Sequence, residues 1–118
     1  MKITALCLST ATIHLLSSVP GAAQTFTQSQ RNAMNHVSQV LAAATACPEY
    51  KPNLVLLALI GVQYKFSIED PKVNAIIVAK AKEHKAGIEA AGKTIGCLAA
   101  WALYGPGGQN VPDLLSRN

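Results

Sequence analysis

Gly96-Cys97-Leu98-Ala99-Ala100-Trp101-Ala102-Leu103-Tyr104-Gly105-Pro106-Gly107-Gly108 contains the only tryptophan and one of the three cysteines of a 118-residue chain. Cys97, Trp101 and Tyr104 recur at i, i+4 and i+7 and share one helical face, while Ile95, Leu98 and Ala102 fall on another. With so little polar surface, the segment is expected to be a buried helix onto which the rest of the chain packs. Gly105 is expected to end it in the left-handed conformation, and Pro106 prevents its restarting.

The other end of the chain reads as an export signal. Met1-Lys2 is a short positive start, Ile3 to Leu16 is an apolar run diluted by Ser, Thr and His, and Ser17 to Ala23 brings a proline and small residues. Cleavage after Ala23 places Gly21 and Ala23 where a signal peptidase needs small side chains and leaves Gln24 as the new start. A membrane anchor is disfavoured, because the run is shorter than the roughly 20 residues that span a bilayer. Cys7 precedes most of the run, so it is not placed as a lipid-anchor cysteine. Residues 1–23 are therefore expected to be a signal peptide and residues 24–118 a single helical domain.

Half of the chain is apolar, but in the mature part the apolar residues lie in short pieces, none of spanning length. No integral membrane insertion is expected after processing. Ten basic residues face six acidic ones, nine against six once Lys2 is gone. Two cysteines, Cys47 and Cys97, survive removal of the signal. In an oxidising compartment such a pair forms a disulfide, and closing a loop of this length contributes about 4 kcal/mol by loop entropy. That is comparable to the whole stability margin of a small domain.

From Gln24 onward, Thr27 or Ser29 is placed to cap a helix that runs to about Ala46. Its apolar stripe is Ala33, Met34, Val37, Val40, Leu41 and Ala44, with Asn32 and Gln39 on the opposite face. Pro48 and Pro52 then break the chain. Asn53 caps a second helix, Leu54 to about Tyr64, apolar on all sides and so expected at the centre of the core. A buried strand competes for this run; Leu and Ala content and the lack of a partner strand favour the helix. Asp70-Pro71 opens the next helix, with Val73, Ile77, His84, Ile88, Ala91 and Ile95 on one face and Lys72, Lys82, Glu83, Glu89 and Lys93 opposite. Continuous to Tyr104 it would be roughly 50 Å long, so a break is expected between Gly87 and Gly92. Leu114 and Leu115 are expected to tuck against the bundle in a turn opened by Pro112. The fold class is all-α: a small four-helix, or kinked three-helix, bundle with one disulfide.

Several motifs point to chemistry and are weighed against their surroundings. Gly87-Ile88-Glu89-Ala90-Ala91-Gly92-Lys93-Thr94 satisfies G-x-x-x-x-G-K-[ST], the phosphate-cradling loop. It follows the charged, helical Lys80-Ala81-Lys82-Glu83-His84-Lys85 rather than a buried strand, so a helix interior is expected to hide the amides. Cys47, Cys97, His36 and His84 are zinc-ligand types without the close pair that opens a structural zinc site. His84 sits in an apolar stripe, where burial would depress its pKa and could make a pH switch. Lys72, Lys80, Lys82, Lys85 and Lys93 suggest a weak basic surface, but acids are interspersed and six aromatics serve the whole chain, so nucleic acid is not expected as a partner. Glu69-Asp70 reads as helix-start chemistry, and no Ser/His/Asp or Cys/His grouping has a recognisable signature. No catalytic residue, metal or cofactor is expected.

The order Ala46-Cys47-Pro48, Asn53-Leu54, Asp70, Cys97 and Ala102-Leu103-Tyr104-Gly105-Pro106-Gly107-Gly108 resembles small exported two-cysteine helical proteins of rhizobia and related alphaproteobacteria. The resemblance implies a periplasmic helical domain and no catalytic residue. A looser likeness, in size, helicity and cysteine spacing, is to periplasmic acid-stress chaperones, whose highly charged composition this chain lacks. The expectation is a small periplasmic or secreted helical binding protein with an unidentified protein, lipid or glycan partner. The alternatives are an acid-responsive chaperone, a factor in contact with a plant or animal host, and a small lipid or ligand carrier.

Overall fold

The structure, a computed structural model, describes residues 25–118. The expected signal peptide and the Ala23–Gln24 cleavage point lie outside the described residues. The described chain is mostly helical: α1 (Gln28–Ala46), α2 (Leu54–Tyr64), α3 (Pro71–Ala91) and α4 (Lys93–Tyr104). Two short strands, β1 (Tyr50–Pro52) and β2 (Leu115–Arg117), pair antiparallel, with Tyr50 opposite Arg117 and Pro52 opposite Leu115. The expected all-α class is thus modified by a small sheet. Its first strand lies in the proline-broken turn expected between α1 and α2, and its second where a turn was expected after Pro112. Among the described residues no helix is long and apolar enough to cross a membrane.

Local chemistry sets the boundaries. Thr27 forms a capping box with Gln30, whose amide oxygen accepts from the Thr27 N–H while the Thr27 hydroxyl accepts from the Gln30 N–H. Asn53 Oδ1 accepts from Leu56 N, and Asp70 Oδ1 accepts from Lys72 N ahead of Pro71 at the first helical position. The expected break falls at Gly92, at φ 91° and ψ 131°, a conformation that L side chains rarely adopt. It turns α3 into α4 so closely that a Cβ on Gly96 would come within 2.7 Å of Ile88 Cγ2. Gly105 corrects another expectation. It ends α4 in an extended conformation, and the left-handed glycine is Gly107.

The central element is α1, not α2. Ala33, Met34, Val37, Ser38, Val40, Ala42, Ala43 and Ala46 are all buried on α1, which packs against α2, α3, α4 and β1. The Ser38 hydroxyl, buried with them, donates to Met34 O at 2.7 Å. On α2 only Leu57 and Gly61 are buried, while Val55 and Val62 are 71% and 75% exposed. A helix apolar on all sides has no periodicity to choose its inner face, and here a chain of this size offers a neighbour on one side only. The segment 93–104 is likewise amphipathic rather than enclosed: Gly96, Cys97, Ala100 and Tyr104 face inward, and Ile95 and Leu98 face outward.

The two ends of the fold are tied at one place. Cys47, the C-cap of α1, is disulfide-bonded to Cys97 in α4. Tyr50 in β1 donates its hydroxyl to Cys97 O at 2.9 Å and stacks on Trp101 at 5.1 Å, with the Arg117 guanidinium 4.5 Å from the indole. Leu114 and Leu115 are buried, as expected, and Asn53 N donates to Leu114 O.

Candidate functional site

Over its second half, α3 buries less of its surface in the core. Val73 and Ile77 in its first two turns are its only fully buried residues. Between the His84–Asn35 contact with α1 and the close approach of Ile88 to Gly96 on α4 lies a cleft of about 320 Å³, at the small end of the range for ligand sites. Small residues, Gly87 and Ala91 from α3 and Gly96, Ala99 and Ala100 from α4, make the hollow, and a Cβ on Gly87 would meet nothing within 4 Å. Ile88 and Leu103 supply apolar walls, and Gln39, Glu83, His84 and Tyr104 bring polar atoms.

The polar groups are held from α1. Tyr104 is buried, and its hydroxyl donates to Gln39 Oε1 at 2.8 Å. His36 Nδ1 lies 2.8 Å from the Tyr104 hydroxyl oxygen. Because the phenolic proton is committed to Gln39, the imidazole must carry hydrogen on Nδ1 and donate. Burial pushes the Tyr104 hydroxyl up from its usual value, with the Asn110 amide opposing this, so it stays a neutral donor. His84 Nε2 is 2.8 Å from Asn35 Oδ1. A carbonyl oxygen only accepts, so Nε2 is protonated and Nδ1 keeps its lone pair. Burial lowers the His84 pKa, with Glu83 acting to raise it and Lys80 to lower it further.

The expectations for individual residues fare differently. His84 is half-buried in this cleft, and His36 is near it through Tyr104. Cys47 and Cys97 are bonded to each other, so neither offers the thiolate that the four-residue zinc set would need. Gln39 is not on an outer face as expected; it is half-buried against Tyr104. Ile95 leaves the expected stripe altogether because the turn at Gly92 carries it to the outside of α4. The phosphate-loop match also sits differently from expectation. Lys93 and Thr94 open α4 rather than lie in a helix interior, yet the preceding element is helix α3 and not a strand. The lysine face is broken by acids on the same helix: Lys80 pairs with Glu83 at 3.5 Å and Lys85 with Glu89 at 3.7 Å.

Sequence reasoning missed Asn35, Gln39 and Tyr104 as site residues. Their signal was present: Asn35 and His36 lie four and three residues before Gln39, a helical spacing that gathers the polar group beside an apolar stripe and marks a boundary rather than a solvated face. A second surface is also exposed. Leu54, Val55, Leu59 and Val62 of α2 stand in solvent, beside a groove lined by Val37, Leu41 and Phe66. Comparison with protein-family models, with curated proteins and with solved structures found no match.

Proposed function

We propose that this chain is an exported, disulfide-braced helical module that binds a small molecule in the cleft between α1, α3 and α4. One observation carries the reading. Among the described residues, the two groups whose ionisation burial displaces, His84 and Tyr104, both belong to the same apolar hollow. Apolar clefts with a few convergent polar groups and displaced pKa values are where ligands bind. The protonated Tyr104 hydroxyl and the neutral His84 ring are suited to recognition by hydrogen bonds, and the reading is of a binder and not an enzyme. The apolar leader, the disulfide and the resemblance to exported rhizobial proteins support a periplasmic or secreted location.

A second reading, contact with a macromolecule as a chaperone or host-facing factor, is favoured by the exposed apolar face of α2. The neutral fluorophore N-phenyl-1-naphthylamine separates the two. Filling the hollow by Ala99→Trp should weaken its binding by at least about tenfold, equivalent to 1.4 kcal/mol, while Leu59→Ser on α2 leaves it unchanged. The opposite pattern would move the binding surface to α2.

A further inference from the structure

We propose that the cleft selects small amphiphiles carrying a cationic amine, with the apolar body over Gly87, Ala99 and Leu103 and the ammonium between Glu83 and His84. The inference rests on the cleft being the binding site and adds the class of ligand. Charge decides it first. Glu83 is the only formally charged residue among those lining the hollow. Neither lysine nor arginine lines it to receive a carboxylate or phosphate, and the nearby Lys80 ammonium is already paired with Glu83.

Hydrogen-bonding capacity points the same way. His84 gives its Nε2 proton to Asn35, so its Nδ1 offers a lone pair and no donor. An ammonium supplies donors only, which matches an imidazole lone pair and a carboxylate. Glu83 is partnered by Lys80 at 3.5 Å, but both side chains are largely exposed, at 69% and 52%. An exposed pair of this kind is weakly held and is readily exchanged for an incoming cation. Size limits the body: a hollow of about 320 Å³ takes a compact aromatic body with at most a short alkyl arm rather than a long lipid chain.

Three probes of nearly equal shape test this: 4-phenylbutylamine, 4-phenylbutanol and 4-phenylbutyrate, titrated calorimetrically into the purified protein at neutral pH. The amine should bind at least about tenfold more tightly than the carboxylate, with the alcohol between. Glu83→Gln, an exposed position whose change leaves folding intact, should reduce the amine's advantage over the alcohol several-fold. Equal or tighter binding of the carboxylate overturns the inference and leaves the cleft as the site, as does an amine preference untouched by Glu83→Gln. If none of the three binds, the cleft reading falls and the inference with it.

Discussion

His84 Nε2 lies 2.8 Å from Asn35 Oδ1, a bond that joins the far half of α3 to α1 across 49 positions of sequence. It is the direct polar tie for a stretch of helix that has no fully buried residue after Ile77. Burial lowers the His84 pKa in the folded state, so the unfolded chain binds a proton more readily. Stability from this group is therefore fully present above the unfolded value near 6.5 and is lost as the pH falls through the window below it. The thermal midpoint should drop on acidification from pH 7.5 to 5.5, and His84→Gln should remove that part of the slope. An unchanged slope in the variant would assign the acid sensitivity elsewhere.

Tyr104 holds His36 and Gln39 together through one oxygen. Tyr104→Phe keeps the ring and strands both partners in a half-buried place. The expected cost is about 1–2 kcal/mol, or roughly 5–15 °C in the midpoint for a domain of this size. Differential scanning calorimetry reads it, and a midpoint within 1–2 °C of the parent, by the same conversion, would show that the relay is not buried as described.

The disulfide closes a loop with a sequence separation of 50. Reduction is expected to cost about 4 kcal/mol by loop entropy, within the 2–5 kcal/mol typical of small secreted domains. Trp101 reports on it, stacked on Tyr50 and in contact with the Arg117 guanidinium one turn from Cys97. Its fluorescence and the helical circular dichroism should change in one transition, with a midpoint lowered by reductant.

On α2, burial separates neighbours sharply. Leu57 is 2% exposed and Val55 71%. Leu57→Ala should cost about 2–5 kcal/mol through the cavity it leaves, whereas Val55→Glu should stay within about 0.5 kcal/mol. Equilibrium urea unfolding of the two variants decides whether α2 lies on the surface as the structure has it.

How much of this was legible in the sequence follows from where each signal resides. Thr27, Asn53, Asp70-Pro71 and the glycine break are local, because capping and backbone freedom are decided within a few residues. The Cys47–Cys97 pair was legible by elimination once Cys7 was set aside. What was not legible is tertiary. An all-apolar run such as Leu54–Ile60 carries no phase, so its exposure could not be read. The strand pairing of Tyr50–Pro52 with Leu115–Arg117 joins two three-residue segments far apart in sequence, too short for any period-2 signal. The cleft arises where small residues of α3 and α4 fail to fill space against α1, and a gap has no residue to announce it.

The cleft's role is tested most directly by amide shift mapping with N-phenyl-1-naphthylamine on the isotopically labelled protein. Perturbations should concentrate at Gly87, Gly96, Ala99, Ala100 and Leu103, together with the ring signals of His84 and Tyr104, the residues that line the hollow. Perturbations confined to Val55, Leu59 and Val62 on α2, with the cleft amides still, would contradict it.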